Sequence, residues 1–167
     1  MNIPNDTQLY SSLNTAYFAD RFSTVIQYHG QSALAVYSEV AKNTPNWVIK
    51  LMALRNWIVS KLGLKHLGQM HEFDHDKPSQ DYKPGDPIGI FRVVSNTERE
   101  MIVEDRDKHL DVRISFLIEP NGNQATVHAT TVVHVNNFLG KIYMFFVGPV
   151  HKIIVPSSLK QLKASYQ

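Results

Sequence analysis

A chain of 167 residues is long enough for one domain with a real core, and its 43% hydrophobic and 19% charged content excludes a disordered chain. A formal net charge of +2, with 17 Lys+Arg spread along the chain against 15 Asp+Glu, is too weak a field to argue for nucleic acid. The absence of cysteine excludes disulfides, thiol catalysis and Cys-ligated metal, and it fits a reducing, cytoplasmic compartment.

Residues 1–15, MNIPNDTQLYSSLNT, have neither a positively charged start nor an apolar centre. No secretory signal is visible, and the stretch reads as a loose leader to a single domain over 16–167. In YFADRFSTVIQYHG (17–30) a short strand, Phe22–Ile26, ends in turn chemistry at His29-Gly30. Ser32 caps a helix over 33–42, with Leu34, Val36, Tyr37, Val40 and Ala41 on one face. Thr44-Pro45 then reads as an N-cap followed by proline at the first helical position. The helix it starts runs through Leu62 and stops at Gly63. At 100° per residue its apolar face includes Trp47, Val48, Leu51, Met52, Ile58 and Val59. HEFDHDKPSQDYKPGDP (71–87) is polar and rich in Pro, Asp and Lys, the composition of a long exposed loop.

Strands are predicted at Ile88–Val94 and Met101–Glu104. Leu110, Val112, Ile114, Phe116 and Ile118 alternate with Asp111, Arg113, Ser115, Leu117 and Glu119, a period of two that buries one face. Pro120-Asn121-Gly122-Asn123 turns this strand into a second, Ala125–Val135. Asn137 can cap a helix. From Phe138 to Val155 the spacing becomes helical and apolar almost all round, which predicts a buried helix kinked at Pro149, with a fresh turn beginning at Pro156-Ser157. Its apolar run, Ile142–Val155, is 14 residues and is broken by Gly148, Pro149, His151 and Lys152. A membrane span needs about 20, so burial inside a domain is expected rather than stable membrane insertion.

The order is strand, two helices, a run of antiparallel strands, and a long C-terminal helix: an α+β chain whose last helix must cover the apolar face of an open sheet. YFADRF (17–22), LMALRNWIVSKLGLK (51–65), DRDKHLDVRISF (105–116) and GKIYMFFVGPVHKIIVP (140–156) together resemble an uncharacterised prokaryotic family, a domain of unknown function, over about residues 16–163. The element order resembles the START-like and polyketide-cyclase-like superfamily. That resemblance implies a helix-grip fold, a curved antiparallel sheet wrapped around the kinked C-terminal helix. It also implies a cavity between sheet and helix able to hold an apolar ligand, and it brings no reaction and no cofactor.

Arg55 falls inside the apolar face of its helix, between Leu51, Met52 and Val59. A guanidinium cannot shed its proton, so it needs an anion: a protein carboxylate (Asp20, Asp107 or Asp111) or the anionic end of a ligand. A long stem that carries the charge to the rim is the alternative. In DRDKHLDVR, His109, Asp111 and Arg113 share one strand parity with Asp107, and His128 and His134 of the partner strand could join them. They either hold a polar ligand group or form a solvated outer face. HEFDHD has His-x3-His spacing, but in a loop that reads as solvated acid rather than a metal site. Tyr143, Phe146 and His151, with Phe145, lie on the C-terminal helix as plain core or as cavity lining, Tyr143 and His151 being its polar handles. No G-x-S-x-G, glycine-rich phosphate loop or H-E-x-x-H is present.

Three functions fit these residues. The first is a protein that binds a small, largely apolar molecule, as a monomer or homodimer. The second is a cyclase- or hydratase-like enzyme using His109 or His151 with an aspartate. The third is an interaction protein with a filled core.

Overall fold

A computed structural model describes residues 7–61, 77–78 and 81–167. The chain order is α1 (Tyr10–Leu13), β1 (Phe18–Gln27), α2 (Ala33–Lys42), α3 (Asn46–Lys61), β2 (Pro87–Ile88), β3 (Phe91–Asn96), β4 (Glu100–Arg106), β5 (Leu110–Asn121), β6 (Gln124–Val135) and α4 (Phe138–Ser165). The six strands form one antiparallel sheet in the order β1-β6-β5-β4-β3-β2. The α+β helix-grip arrangement expected from the element order is present, with two helices after the first strand and α4 laid against the sheet.

Local chemistry accounts for most boundaries. Ser32 accepts a hydrogen bond from the Ala35 N–H at 3.2 Å and starts α2. Asn121 pairs with Gln124, leaving a two-residue turn in which Gly122 takes φ 63°, the first-position glycine such hairpins use. Asn137 accepts from the Gly140 N–H at 3.2 Å and starts α4. Thr44 differs from expectation. Its hydroxyl donates backwards to the Val40 and Ala41 carbonyls at the end of α2, and the Pro45 carbonyl accepts the first bonds of α3. β1 is twice as long as its predicted core. Its ten residues pair with β6 from Phe18↔Val133 to Gln27↔Gln124, a non-local pairing that local periodicity does not show.

The period-two pattern sorts the sheet into two faces. On the inner face, Ile118, Val127, Ala129, Val103 and Met101 meet Leu34, Tyr37 and Val40 of α2 and Leu159 and Leu162 of α4 in the main core. On the outer face the chain from Thr7 onward is docked rather than loose. Leu9, Leu13 and Ala16 pack on Ile102, Val132, Val94 and Ala19. Buried Glu100 anchors this layer: Oε1 accepts from the hydroxyls of Thr7 and Ser115, both at 2.6 Å, and Oε2 from the Gln8 N–H at 3.2 Å.

α4 departs from expectation in two ways. It continues through Pro149 and Pro156 to Ser165 without restarting, because each proline removes a single backbone bond. It is also not buried all round. By length and apolarity it could cross a membrane, yet only 17% of its most apolar window is buried. One side, with Gly140, Met144 and Gly148, packs inward, while Phe138, Phe145, Phe146 and Ile153 face out. A helix laid on one sheet face buries one stripe, whatever its composition. Gly140 is required by close approach, since a Cβ there would collide with the His109 carbonyl oxygen and with Val135.

Candidate functional site

Beneath α4 the inner face of the sheet does not close. A cavity of about 230 Å³ lies between β5, β6, α3 and α4. Leu110, Val112 and Ile114 of β5 and Ala129 and Val133 of β6 form its floor. Val48 and Met52 of α3 form one wall, and Tyr143, Met144, Val147 and Ile154 of α4 the roof. Ala129 and Thr131 are short, so the side chains beneath the helix do not fill the gap. A cavity of ~150 Å³ lined by Leu, Ile and Phe stays dry and accepts benzene. This one is larger.

One corner is polar. His151 projects from α4 into the cavity, and its Nδ1 lies 2.8 Å from Asp20 Oδ2 on β1. Thr131, opposite Asp20 in the β1–β6 register, places its hydroxyl 3.5 Å from His151 Nε2, the outer limit of a hydrogen bond. An ionised carboxylate only accepts, so Nδ1 carries the proton in the bond to Asp20. In neutral His151 the Nε2 lone pair is then the acceptor left toward Thr131 and the cavity. The Phe18 ring stands edge-on to the imidazole at 5.9 Å and limits its rotation. Asp20 is buried, and its second oxygen, Oδ1, is buried without a hydrogen-bond partner among the described residues. Asp105 of β4, also buried, and Thr44, Tyr143 and Ser158 are the other polar residues along the described lining.

Residues 12–158 match the family described as "Protein of unknown function (DUF2867)". The chain belongs to the DUF2867 family. No curated protein matches it in sequence. Among solved structures it is similar to a hypothetical protein from Helicobacter pylori, with 12% identity, TM-score 0.49, and coverage of 100% of this chain and 98% of that one. It is also similar to a START superfamily protein from Mycobacterium smegmatis, at 13% identity and TM-score 0.43 over 89% and 99% of the two chains. Norcoclaurine synthase from Thalictrum flavum is similar at 12% identity and TM-score 0.38 over 98% and 95%. The helix-grip arrangement of this DUF2867 chain is read from its own strand order and helix placement.

The structure brings together two of the residues singled out by sequence, His151 and Tyr143, in the cavity lining. Phe146 lies on the outward side of α4, 66% exposed, because helical phase puts it opposite Met144 and Gly148. Asp111 and Arg113 face away from the cavity. Strand parity that turns Leu110, Val112 and Ile114 inward turns these two outward. Arg113 Nε donates to Glu104 Oε2 at 3.0 Å, and Asp111 sits opposite His134. His134 and His128 do join that outer face, where they bond Thr15 and Ser23. His109 is buried at the β4–β5 turn, its Nδ1 3.0 Å from Asn137 Oδ1, and it supports the start of α4 rather than the cavity. The Arg55 side chain and the HEFDHD segment lie outside the described residues. Among the described residues no group of three His, Asp or Glu is placed to hold a metal.

Sequence reasoning raised Asp20 only as a partner for Arg55 and missed Thr131 and Asp105. A signal for Asp20 exists: it shares the parity of Phe18, Phe22 and Ile26, so β1 presents a carboxylate on its apolar face. Asp105 shares the parity of Met101 and Val103 in the same way, one residue beyond the predicted end of that strand.

Proposed function

We propose that this protein binds a small, largely apolar molecule between the sheet and α4, oriented by a hydrogen bond to His151. The observation that carries this is the cavity of about 230 Å³ whose apolar walls converge on the His151–Asp20–Thr131 corner. Burial of the ligand's apolar surface drives binding, at about 25 cal/mol per Å² before the costs of association. The His151 corner supplies orientation. The described lining holds Asp105 and His151 and no lysine or arginine. This favours a ligand ending in a neutral donor, such as a hydroxyl, over the anionic end that Arg55 suggested. The open space among the described residues favours this reading over an interaction protein with a filled core.

A second reading has its own support. The Asp20–His151 bond of 2.8 Å fixes the tautomer that a general base needs, with Nε2 toward the bound molecule. On this reading the protein is a cyclase- or hydratase-like enzyme that removes a proton from its substrate.

The test uses 1-naphthol, an apolar double ring with one hydroxyl, followed by its fluorescence and by calorimetry. Naphthol binding to the native chain is expected, with Ala129→Phe abolishing it by occupying the floor. His151→Ala is expected to weaken naphthol by roughly tenfold, the worth of one hydrogen bond at about 1.4 kcal/mol, and to leave naphthalene unchanged. Equal binding of naphthol by the native and Ala129→Phe chains contradicts the proposal. Once a natural ligand is found by native mass spectrometry, an enzyme loses turnover and keeps affinity in His151→Ala, whereas a binder has no turnover to lose.

A further inference from the structure

α4 presents to solvent a face that the fold does not use. At 100° per residue Phe138, Ile142, Phe145, Phe146, Pro149 and Ile153 form one outward stripe, and all six are exposed. Phe138 is 73% exposed, Phe145 74% and Ile153 61%. Phe145 and Phe146 pack edge to face with each other, ring centres 5.2 Å apart. At 150–250 Å² for a bare aromatic side chain, the stripe amounts to roughly 700 Å², above the ~300–600 Å² of the largest apolar patch on an ordinary monomer. It is about 24 Å long at 1.5 Å per residue, parallel to the helix axis.

The charges around the stripe select what covers it. Lys141 and Lys152 lie exposed along one shoulder, and Lys160 and Lys163 continue outward beyond it. Phe138–Ser165 contains no Asp or Glu. On α2, packed against α4, Glu39 lies at the far C-terminal end beside Tyr166. A second copy of the chain fits poorly. A twofold antiparallel pairing centred near Phe146 brings Lys141 beside the partner's Lys152 twice along one edge, with no carboxylate from either helix between them. A surface that is apolar inside and negative at its rim satisfies both features at once.

We propose that the outward face of α4 docks on the surface of an anionic lipid bilayer. The helix lies flat, with Phe138, Ile142, Phe145, Phe146 and Ile153 entering the acyl boundary by ~5–10 Å and the lysines level with the lipid phosphates. It does not span: Gly140, Met144 and Gly148 remain packed against the sheet, and the cavity stays on the protein side of the helix. This rests on the outer face of α4 and is independent of what the cavity binds.

The test is co-sedimentation of the full chain with sucrose-loaded vesicles of phosphatidylcholine alone and of phosphatidylcholine mixed with phosphatidylglycerol. Binding to the mixed vesicles is expected, roughly tenfold tighter than to the neutral ones and weakening as salt is raised. Phe145→Ser/Ile153→Ser should lose vesicle binding while keeping the native melting temperature, since both side chains are exposed. Lys141→Glu/Lys152→Glu should lose the preference for phosphatidylglycerol. No sedimentation with the mixed vesicles overturns the proposal, as does equal sedimentation of Phe145→Ser/Ile153→Ser. A dimer in analytical ultracentrifugation that Phe145→Ser dissociates, without vesicle binding, also overturns it and assigns the face to a second copy.

Discussion

The two faces of the sheet invert the usual association of polar with solvent and apolar with a filled core. The outer face carries Glu100 and Ser115, yet both are buried, and the Glu100 carboxylate accepts from the hydroxyls of Thr7 and Ser115 and from the Gln8 N–H. The inner face is lined by Val, Ile, Leu and Phe and leaves about 230 Å³ between sheet and helix. A closed polar network is a structural device because every member has a partner. On the proposed function, the roomy apolar layer with its polar corner is a binding device, because packing there is incomplete. How completely the layer is packed separates the two, and polarity does not.

The largest effect should come from the outer face. Glu100→Ala leaves the Thr7 and Ser115 hydroxyls and the Gln8 N–H without their acceptor, a loss of about 3 kcal/mol in urea unfolding. Undocking of the N-terminal layer should also open residues 7–16 to limited proteolysis. Naphthol affinity should hold, since the cavity lies on the other side of the sheet. Gly140→Ala should cost about 2 kcal/mol by the same measurement, as the added methyl pushes the first turn of α4 off the His109 carbonyl. It should lower naphthol affinity as well, because the helix it shifts carries Tyr143, Met144 and Val147 of the cavity roof.

Much of this architecture is legible in the sequence, and the remainder fails for identifiable reasons. Ser32, Gly122 and Asn137 announce their turns and caps because capping is a local interaction. The β5–β6 hairpin is legible because a period of two and a turn lie side by side. Contacts between distant residues are not. Asp20 meets His151 across 131 positions and Thr7 meets Glu100 across 93, so neither the polar corner nor the docked N-terminal layer is written in any local pattern. Hydropathy predicted that α4 would be covered on all sides, but it measures the wish for burial and not the supply of partners. Phe146 and Met144 are equally apolar in pattern and end on opposite sides. For Asp111 and Arg113 parity was decisive, and it pointed away from the cavity once the Leu110–Ile118 set was taken as inward.

Smaller effects sharpen the same contrast. Ala129→Phe should change stability by less than about 1 kcal/mol, because the added ring enters open space rather than a packed core. The same change in a filled layer would cost about 1–3 kcal/mol. Tyr37, deep in the packed end of the inner layer, donates its hydroxyl to the Ile88 carbonyl at 3.1 Å, and burial raises its pKa well above the usual 10. In the unfolded chain Tyr37 loses its proton near pH 10, while the folded chain still holds it. Stability is therefore unaffected below that pH and falls as pH rises beyond it. Tyr37→Phe should cost about 1 kcal/mol at pH 7 and flatten the alkaline fall in a pH series of thermal melts.

The most direct measurement is amide and methyl chemical-shift mapping of the isotope-labelled chain during a naphthol titration. Saturable shifts are predicted at Ala129, Thr131, Val133, Val112 and Ile154, with the His151 ring signals moving in step and Ile102, Arg113 and Val132 on the outer face unmoved. Shifts confined to the outer face, or none at the cavity residues up to the solubility of naphthol, would contradict the claim that the space beneath α4 is a binding site.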